Sequence, residues 1–346
     1  MRTLILALTC ASFVGCRGFT VSTRNVVQME GPVETRVELP PRLDGGPVQP
    51  FTVPSGHTVG GGSVVILDVD GILLNTDYSG MMTAGENPVS LFREKLDTIA
   101  SDACVKAVVL RINSPGGGVA AVELMRRDLV RFRQKTGIPM VACLMDVGAG
   151  GAYYLATAAD RIVATPGTVT GGVGIILNLY NLRDLLGQFN IVPQEVKAGP
   201  FVDLGTPARA LTPEGKKILQ DMADEYHQHI RNEIRQARSG IDLADGTTLD
   251  GRVFTATQAQ TRGLVDVIGD LDQAIELARQ AAGTPGAAAI LYHRKNDPAR
   301  TVYASTPNTP IQTTFLPSIP GLDRSRLPTF LCMWQPEMAM EKLSGK

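Results

Sequence analysis

No serine stands between Pro115 and Arg238 of this 346-residue chain. That gap excludes a serine nucleophile from the middle of the sequence. Aromatic residues are also few, at 5%, with a single tryptophan. A core must therefore be built from Val, Ile, Leu and Ala, as the cores around buried parallel strands are. Neither sign of charge is in excess: 33 Lys and Arg face 34 Asp and Glu, for a net charge of -1. No electrostatic footprint for nucleic acid results. The four histidines, His57, His227, His229 and His293, have no metal-ligand spacing. No Gly-Lys-Ser/Thr phosphate loop follows the glycine-rich stretch at 116–118. No cofactor is expected.

A membrane-spanning run is missing from the N-terminus as well. Behind Arg2, the apolar stretch from Leu4 to Val14 is too short to cross a bilayer. Phe13-Val14-Gly15-Cys16 resembles a bacterial lipobox, in which Cys16 would be acylated and become the mature N-terminus. An ordinary signal peptide or an uncleaved anchor would present a similar pattern. Each reading exports the chain, and the lipobox would make it a membrane-anchored lipoprotein of the cell envelope, facing the periplasm. Of the other cysteines, Cys10 falls in the signal, and Cys104, Cys143 and Cys332 follow no pairing rule. Cys104 and Cys143 border or sit in apolar runs and read as inert small hydrophobes.

Four segments follow from composition. Residues 1–16 form the signal. Residues 17–62, with six prolines and Gly60-Gly61-Gly62, read as a tether. Residues 63–282 read as one α/β domain. Residues 283–346 hold eight more prolines and read as an irregular tail. Near the end of that tail, Phe330, Leu331, Met333 and Trp334 are apolar enough to dock on something. Within the domain, SVVILDV, AVVLRIN, PMVACLM and RIVA are continuous apolar runs of the kind buried strands have. Helical spacing follows Pro88 and recurs at Val122, Met125, Leu129 and Phe132. Alternating strands and helices predict a mostly parallel sheet with flanking helices. Thr212 and Pro213 predict an N-cap and first-turn proline for a long helix. Ile218, Met222, Tyr226, Ile230 and Ile234 form its stripe, a core face or an oligomer face, with His227 and His229 placed at the surface.

Two stretches carry chemistry. Residues 107–118 read AVVLRINSPGGG, and residues 144–176 read LMDVGAGGAYYLATAADRIVATPGTVTGGVGII. With GRVFTATQAQTRGLVDVIGDLDQAIELA at 251–278, they resemble the SppA-type signal peptide peptidases, Ser/Lys endopeptidases on the ClpP/crotonase fold. The resemblance runs through nearly the whole of residues 63–282 and implies one copy of that fold. Aligned through Asp146, Ala149, Gly151, Tyr153 and Tyr154, it places the nucleophile position on Gly150 and the base position on Val202, while Lys197 matches a neighbouring family lysine. Glycine and valine supply neither nucleophile nor base, and such a pair works as a unit.

The resemblance further implies that Gly117 and Gly151 form an oxyanion or peptide-binding site. A tight turn whose glycines answer only to geometry is the other reading. Ser114 matches a family residue other than the nucleophile. Asp146, Tyr153 and Tyr154 read as structural, and Thr157, Thr165, Thr168 and Thr170 lack an evident base. The expected function is that of an SppA-like homologue without catalysis, binding peptide or protein segments at the envelope. An active SppA-type endopeptidase is the alternative, and crotonase-like acyl-CoA chemistry a lesser one. Single-copy relatives of this type imply a closed homo-oligomeric ring.

Overall fold

A computed structural model of the chain describes residues 48–52, 61–76, 87–242, 244, 246–294 and 330–334. The chain separates into two units at Pro41 and Arg42. The first unit lies outside the described residues, and with it the Cys16 signal. The second unit, Arg42–Lys346, holds every described residue.

Strand β1 spans Val48–Thr52 and β2 spans Ser63–Leu73. Helix α1, Pro88–Ser101, starts where the side chain of Asn87 accepts from the amides of Val89 and Ser90, with Pro88 in the first turn. Strand β3, Val105–Gly118, runs directly into α2, Val119–Thr136, which ends at Gly137 with φ 68°. Strand β4 covers Met140–Ala149, and α3, Gly151–Ala156, follows after one residue. Strands β5, Arg161–Ala164, and β6, Val169–Gly171, come next. Helix α4 is Arg183–Gln188, and α5 is Pro213–Ala237, capped by Thr212. The last part holds β7 (Val253–Thr255), α6 (Ala256–Thr261), β8 (Val267–Ile268), α7 (Leu271–Ala281), β9 (Ala288–Arg294) and β10 (Leu331–Met333).

The expected mixed α/β domain, with a mostly parallel sheet and flanking helices, holds. The sheet order is β1-β9-β2-β3-β4-β5-β8. Every neighbouring pair from β9 to β8 is parallel, and β1 closes one edge antiparallel to β9. The central strands are buried on both faces. Val65, Leu67, Val108, Leu110, Ala142 and Leu144 meet α1, α2 and α3 on one side. Val64, Ile66, Val109, Val141 and Val163 meet Leu271, Ala274, Ile275 and Ala278 of α7 on the other. On that second side the sheet carries one buried ion pair, Arg111 to Asp68 at 2.6 Å, between adjacent β3 and β2 positions.

The boundaries expected at 63 and 282 fall inside the sheet. Strands β1, β9 and β10 come from the supposed tether and tail. The prolines that dominate those segments hid the apolar run Ala287–Tyr292, which is buried throughout. Along α5, only Ile230 and Ile234 of the five-residue stripe are buried, and Met222 is exposed. His227 is not a free surface residue. Its Nε2 lies 3.0 Å from the Val173 carbonyl and 2.9 Å from that of Leu249. Both oxygens can only accept, so Nε2 is the donor to them. Cys104, read as an inert hydrophobe, is exposed.

Candidate functional site

The carboxyl ends of β3 and β4 meet at four glycines. Gly150 is the single residue between β4 and α3, with φ 57° and ψ -126°. Positive φ is reached without steric cost by glycine. Its N–H donates to the Gly171 carbonyl at 2.8 Å, and its own carbonyl accepts from Tyr154 at 3.1 Å. Ser114 is fully buried, and its Oγ accepts from the Gly116 amide at 3.1 Å. Asn113 Oδ1 accepts from the Val147 amide at 3.2 Å. These two side chains tie β3 to its own turn and to β4. At Gly117 a Cβ would overlap the Leu73 carbonyl oxygen and stand 2.6 Å from the Leu73 nitrogen. Only glycine lets β2 and β3 approach so closely there.

Across this cluster lies β10. It pairs antiparallel with β3, Leu331 opposite Gly118, Cys332 opposite Gly117 and Met333 opposite Gly116. The Val119 amide donates to the Phe330 carbonyl at 3.1 Å, and the Trp334 amide to that of Pro115 at 2.9 Å. In an antiparallel ladder such pairs alternate, which makes Cys332 and Gly117 the bonded pair between them. On its other edge β10 meets Ile176: Leu331 N–H donates to the Ile176 carbonyl, and Ile176 N–H to that of Leu331, both at 2.9 Å. The Cys332 carbonyl oxygen sits among the glycines. A Cβ on Gly116 would overlap it, and one on Gly150 or Gly151 would stand 2.9 Å away. The same Cβ on Gly150 would be 2.7 Å from Met333 Cα.

Comparison with known proteins bears on this arrangement. Peptidase family S49 matches residues 132–284. A protein of Enterococcus faecium named for signal peptide peptidase SppA is 29% identical over 234 residues, covering 68% of this chain and 67% of that one. Protease 4 of Salmonella typhi is 30% identical over 222 residues, covering 64% of this chain and 35% of that one. Over these stretches the chain is similar to SppA-type peptidases of family S49. Its match spans about two thirds of the Enterococcus relative and far less of the Salmonella one. Among solved structures, a mutant of the 1510-N membrane-bound stomatin-specific protease aligns with a TM-score of 0.40 and 17% identity, covering 62% of this chain and 84% of that one.

Of the positions that the SppA-type resemblance singles out, the structure brings Gly117, Gly150 and Gly151 together. Val202 lies elsewhere, in the strand-free stretch from 177 to 211, and is 70% exposed. The turn around it makes local polar contacts: Lys197 Nζ holds Asp203 at 2.9 Å, and Arg209 binds the same carboxylate. The Lys197 hydrogen bond holds the Asp203 carboxyl below its usual range.

The hydroxyls of Thr157, Thr165, Thr168 and Thr170 are committed to hydrogen bonds nearby. Thr157 donates to Tyr154 at 2.7 Å, Thr168 to Leu144 at 2.9 Å and Thr170 to Gly148 at 2.7 Å, while Thr165 meets Thr168 at 2.9 Å. Cys143 is buried on the α7 side of the sheet, and burial pushes its thiol up to about 12. Cys332 is fully buried, and its thiol is also pushed up to about 12. Thiols in that range are not nucleophiles at neutral pH.

Tyr153 and Tyr154 are packing residues. Both are fully buried, the first donating to the Leu264 carbonyl at 2.9 Å and the second to Glu123 at 2.8 Å. Arg126 lies over the Tyr154 ring at 4.5 Å. Asp146 is exposed. Among the described residues no group of His, Cys, Asp or Glu could hold a metal ion. No described helix is long and apolar enough to cross a membrane. The sequence reading missed the placement of residues 330–334 on the glycine cluster. Its only signal was their apolar character after a polar, proline-rich stretch.

Proposed function

We propose that this chain is an exported SppA-like peptidase homologue that binds extended peptide or protein segments at the cell envelope without hydrolysing them. One observation carries the reading. At the strand-to-helix junction, where the family places its nucleophile, residue 150 has no side chain, while the glycine amides around it are kept. Such amides can hold a peptide carbonyl, but a carbonyl is not cleaved without an attacking atom. Gly117 and Gly151 are the binding glycines in this reading, and neither a metal nor a cofactor takes part. Purified full-length protein should leave casein and signal-peptide substrates uncut and should not react with a fluorophosphonate. Labelling that maps to one residue and tracks turnover would instead establish the active endopeptidase.

Anchoring belongs to the same proposal. Cys16 carries the lipid and is the mature N-terminus. Intact mass of detergent-extracted protein is expected to show loss of residues 1–15 and addition of diacylglycerol; an unlipidated start elsewhere would reject it.

The domain also assembles into a closed homo-oligomeric ring. The exposed stretch from 176 to 211 supplies the motive: Phe189 is 69% exposed, Val192 74% and Val202 70%, and Ile191 and Val196 are exposed beside them. Large apolar side chains left exposed in this number mark an interface, and repeated identical interfaces close with cyclic symmetry. Light scattering on the full chain should give a multiple of its 36.9 kDa mass. A monomer mass across a wide concentration range would remove the ring.

A further inference from the structure

We propose that residues 330–334 are an intramolecular ligand of the peptide groove, and that an exogenous extended, apolar peptide enters only when this segment leaves. The inference rests on the peptide-binding reading above and deepens it by naming the ligand class and the occupant.

Three observations point to it. The slot is two-sided. Backbone from Gly116 to Gly118 lies on one edge of residues 331–333 and Ile176 on the other, so an extended peptide there pairs on both edges. This is strand addition, in which main-chain hydrogen bonds give affinity and side-chain pockets give selectivity. Next, the occupant is uncharged and buried. Leu331, Cys332 and Met333 are all buried, Phe330 packs edge-on against Tyr226 with ring centroids 5.2 Å apart, and Trp334 lies beside Gly172. An entering peptide meets the same walls and must be apolar too. Last, the carbonyl nested among Gly116, Gly150 and Gly151 belongs to Cys332. The position where those glycines can hold a peptide carbonyl is already filled by the chain itself. The segment is joined covalently through residues 295–329, so its binding is intramolecular. A covalently joined ligand acts at an effective concentration that can reach the order of millimolar, and a free peptide would have to compete with it.

The chain offers its own reporters. Trp334 is the only tryptophan. Cys332 is buried while Cys104 is exposed. The probe is the capped peptide Thr-Phe-Leu-Ser-Met-Phe-Gln, which copies the segment without tryptophan or cysteine. In the full chain, iodoacetamide should modify Cys104 rapidly and Cys332 slowly, as mapped by mass spectrometry. Millimolar peptide should speed Cys332 modification at least about tenfold and move Trp334 emission to longer wavelength.

A second form carries a protease site inserted between residues 300 and 325. It folds intact, is cut afterwards, and has its segment exchanged out against excess peptide. That segment-free protein should bind a fluorescein-labelled copy of the peptide at least about tenfold more tightly than the uncut protein does. Equal binding by the cut and uncut forms overturns the inference and leaves the peptide-binding reading standing. No binding by the segment-free form overturns both. Cys332 reacting as fast as Cys104 in the uncut chain, without peptide, also overturns the inference, because the segment would then not be seated.

Discussion

Gly150→Ser combined with Val202→Lys is expected to give a measurable peptidase only where residue 202 is carried beside residue 150, which it does not neighbour in this structure, and once residues 330–334 have been removed from the groove. In the uncut chain the gain should be small. A serine Cβ at this position would stand 2.7 Å from Met333 Cα and 2.9 Å from the Cys332 oxygen, closer than packed atoms come. The segment must move for the side chain to fit. The backbone itself, at φ 57°, strains a serine by about 1–3 kcal/mol, a cost that folded domains often bear at functional positions. Lysine at 202 is easily accepted, because that position is 70% exposed.

Each amide donor aimed at a developing oxyanion is worth about 10²–10³ in rate. Loss of a nucleophile–base unit can remove about 10⁶. With the two substituted side chains in reach of each other, hydrolysis should therefore rise well above background, and either substitution alone should do little. The measurement is casein turnover with fluorophosphonate labelling mapped to position 150, on the double variant cut and freed of its segment. A double variant that keeps its circular dichroism spectrum yet neither labels nor turns over would show that residues 150 and 202 do not come together as a nucleophile–base unit.

The second large effect concerns stability. Arg111→Met should destabilise the domain by about 3–5 kcal/mol, because it removes the guanidinium from the buried Asp68 carboxyl. The side chains of Arg111 and Asp68 are only 7% and 4% exposed, with 2.6 Å between them. Water cannot replace the lost guanidinium. For a domain of this size the loss corresponds to a fall in Tm on the order of 10 °C. Asp68→Leu added to Arg111→Met should recover most of it, since the pair then becomes part of the apolar face that packs on α7. Thermal unfolding followed by circular dichroism decides the point. A single-variant loss below about 1 kcal/mol, typical of surface ion pairs, would mean that the pair is solvated in solution.

Much of the framework was legible because its signals are local. SVVILDV, AVVLRIN, PMVACLM and RIVA became β2, β3, β4 and β5, since continuous apolar runs suit strands covered on both faces. Thr212 and Pro213 opened α5 as expected, because a capping hydroxyl and a first-turn proline act within one turn. The side-chain-free junction at Gly150 was visible for the same reason: it depends on which residue stands between a strand and a helix.

Other features were not local. His227 looked like a surface residue until Val173 and Leu249, distant in sequence, placed two carbonyls against it. The stripe on α5 has a regular period, yet only its last two members are buried, because period defines a face and neighbours decide whether that face is covered. The proline-rich ends were read as tether and tail, although parts of both pair into the sheet.

By itself, then, the sequence determined the order of strands and helices, the family resemblance, and the missing side chain at Gly150, all of them properties of short contiguous stretches. Only the tertiary structure decided that β10 returns from the far end of the chain to lie on Gly116–Gly118, with the Cys332 carbonyl among the glycines. Strand pairing across more than two hundred residues is set by which backbone edge is left unpaired and which apolar segment can reach it. Neither is written in the local order of residues.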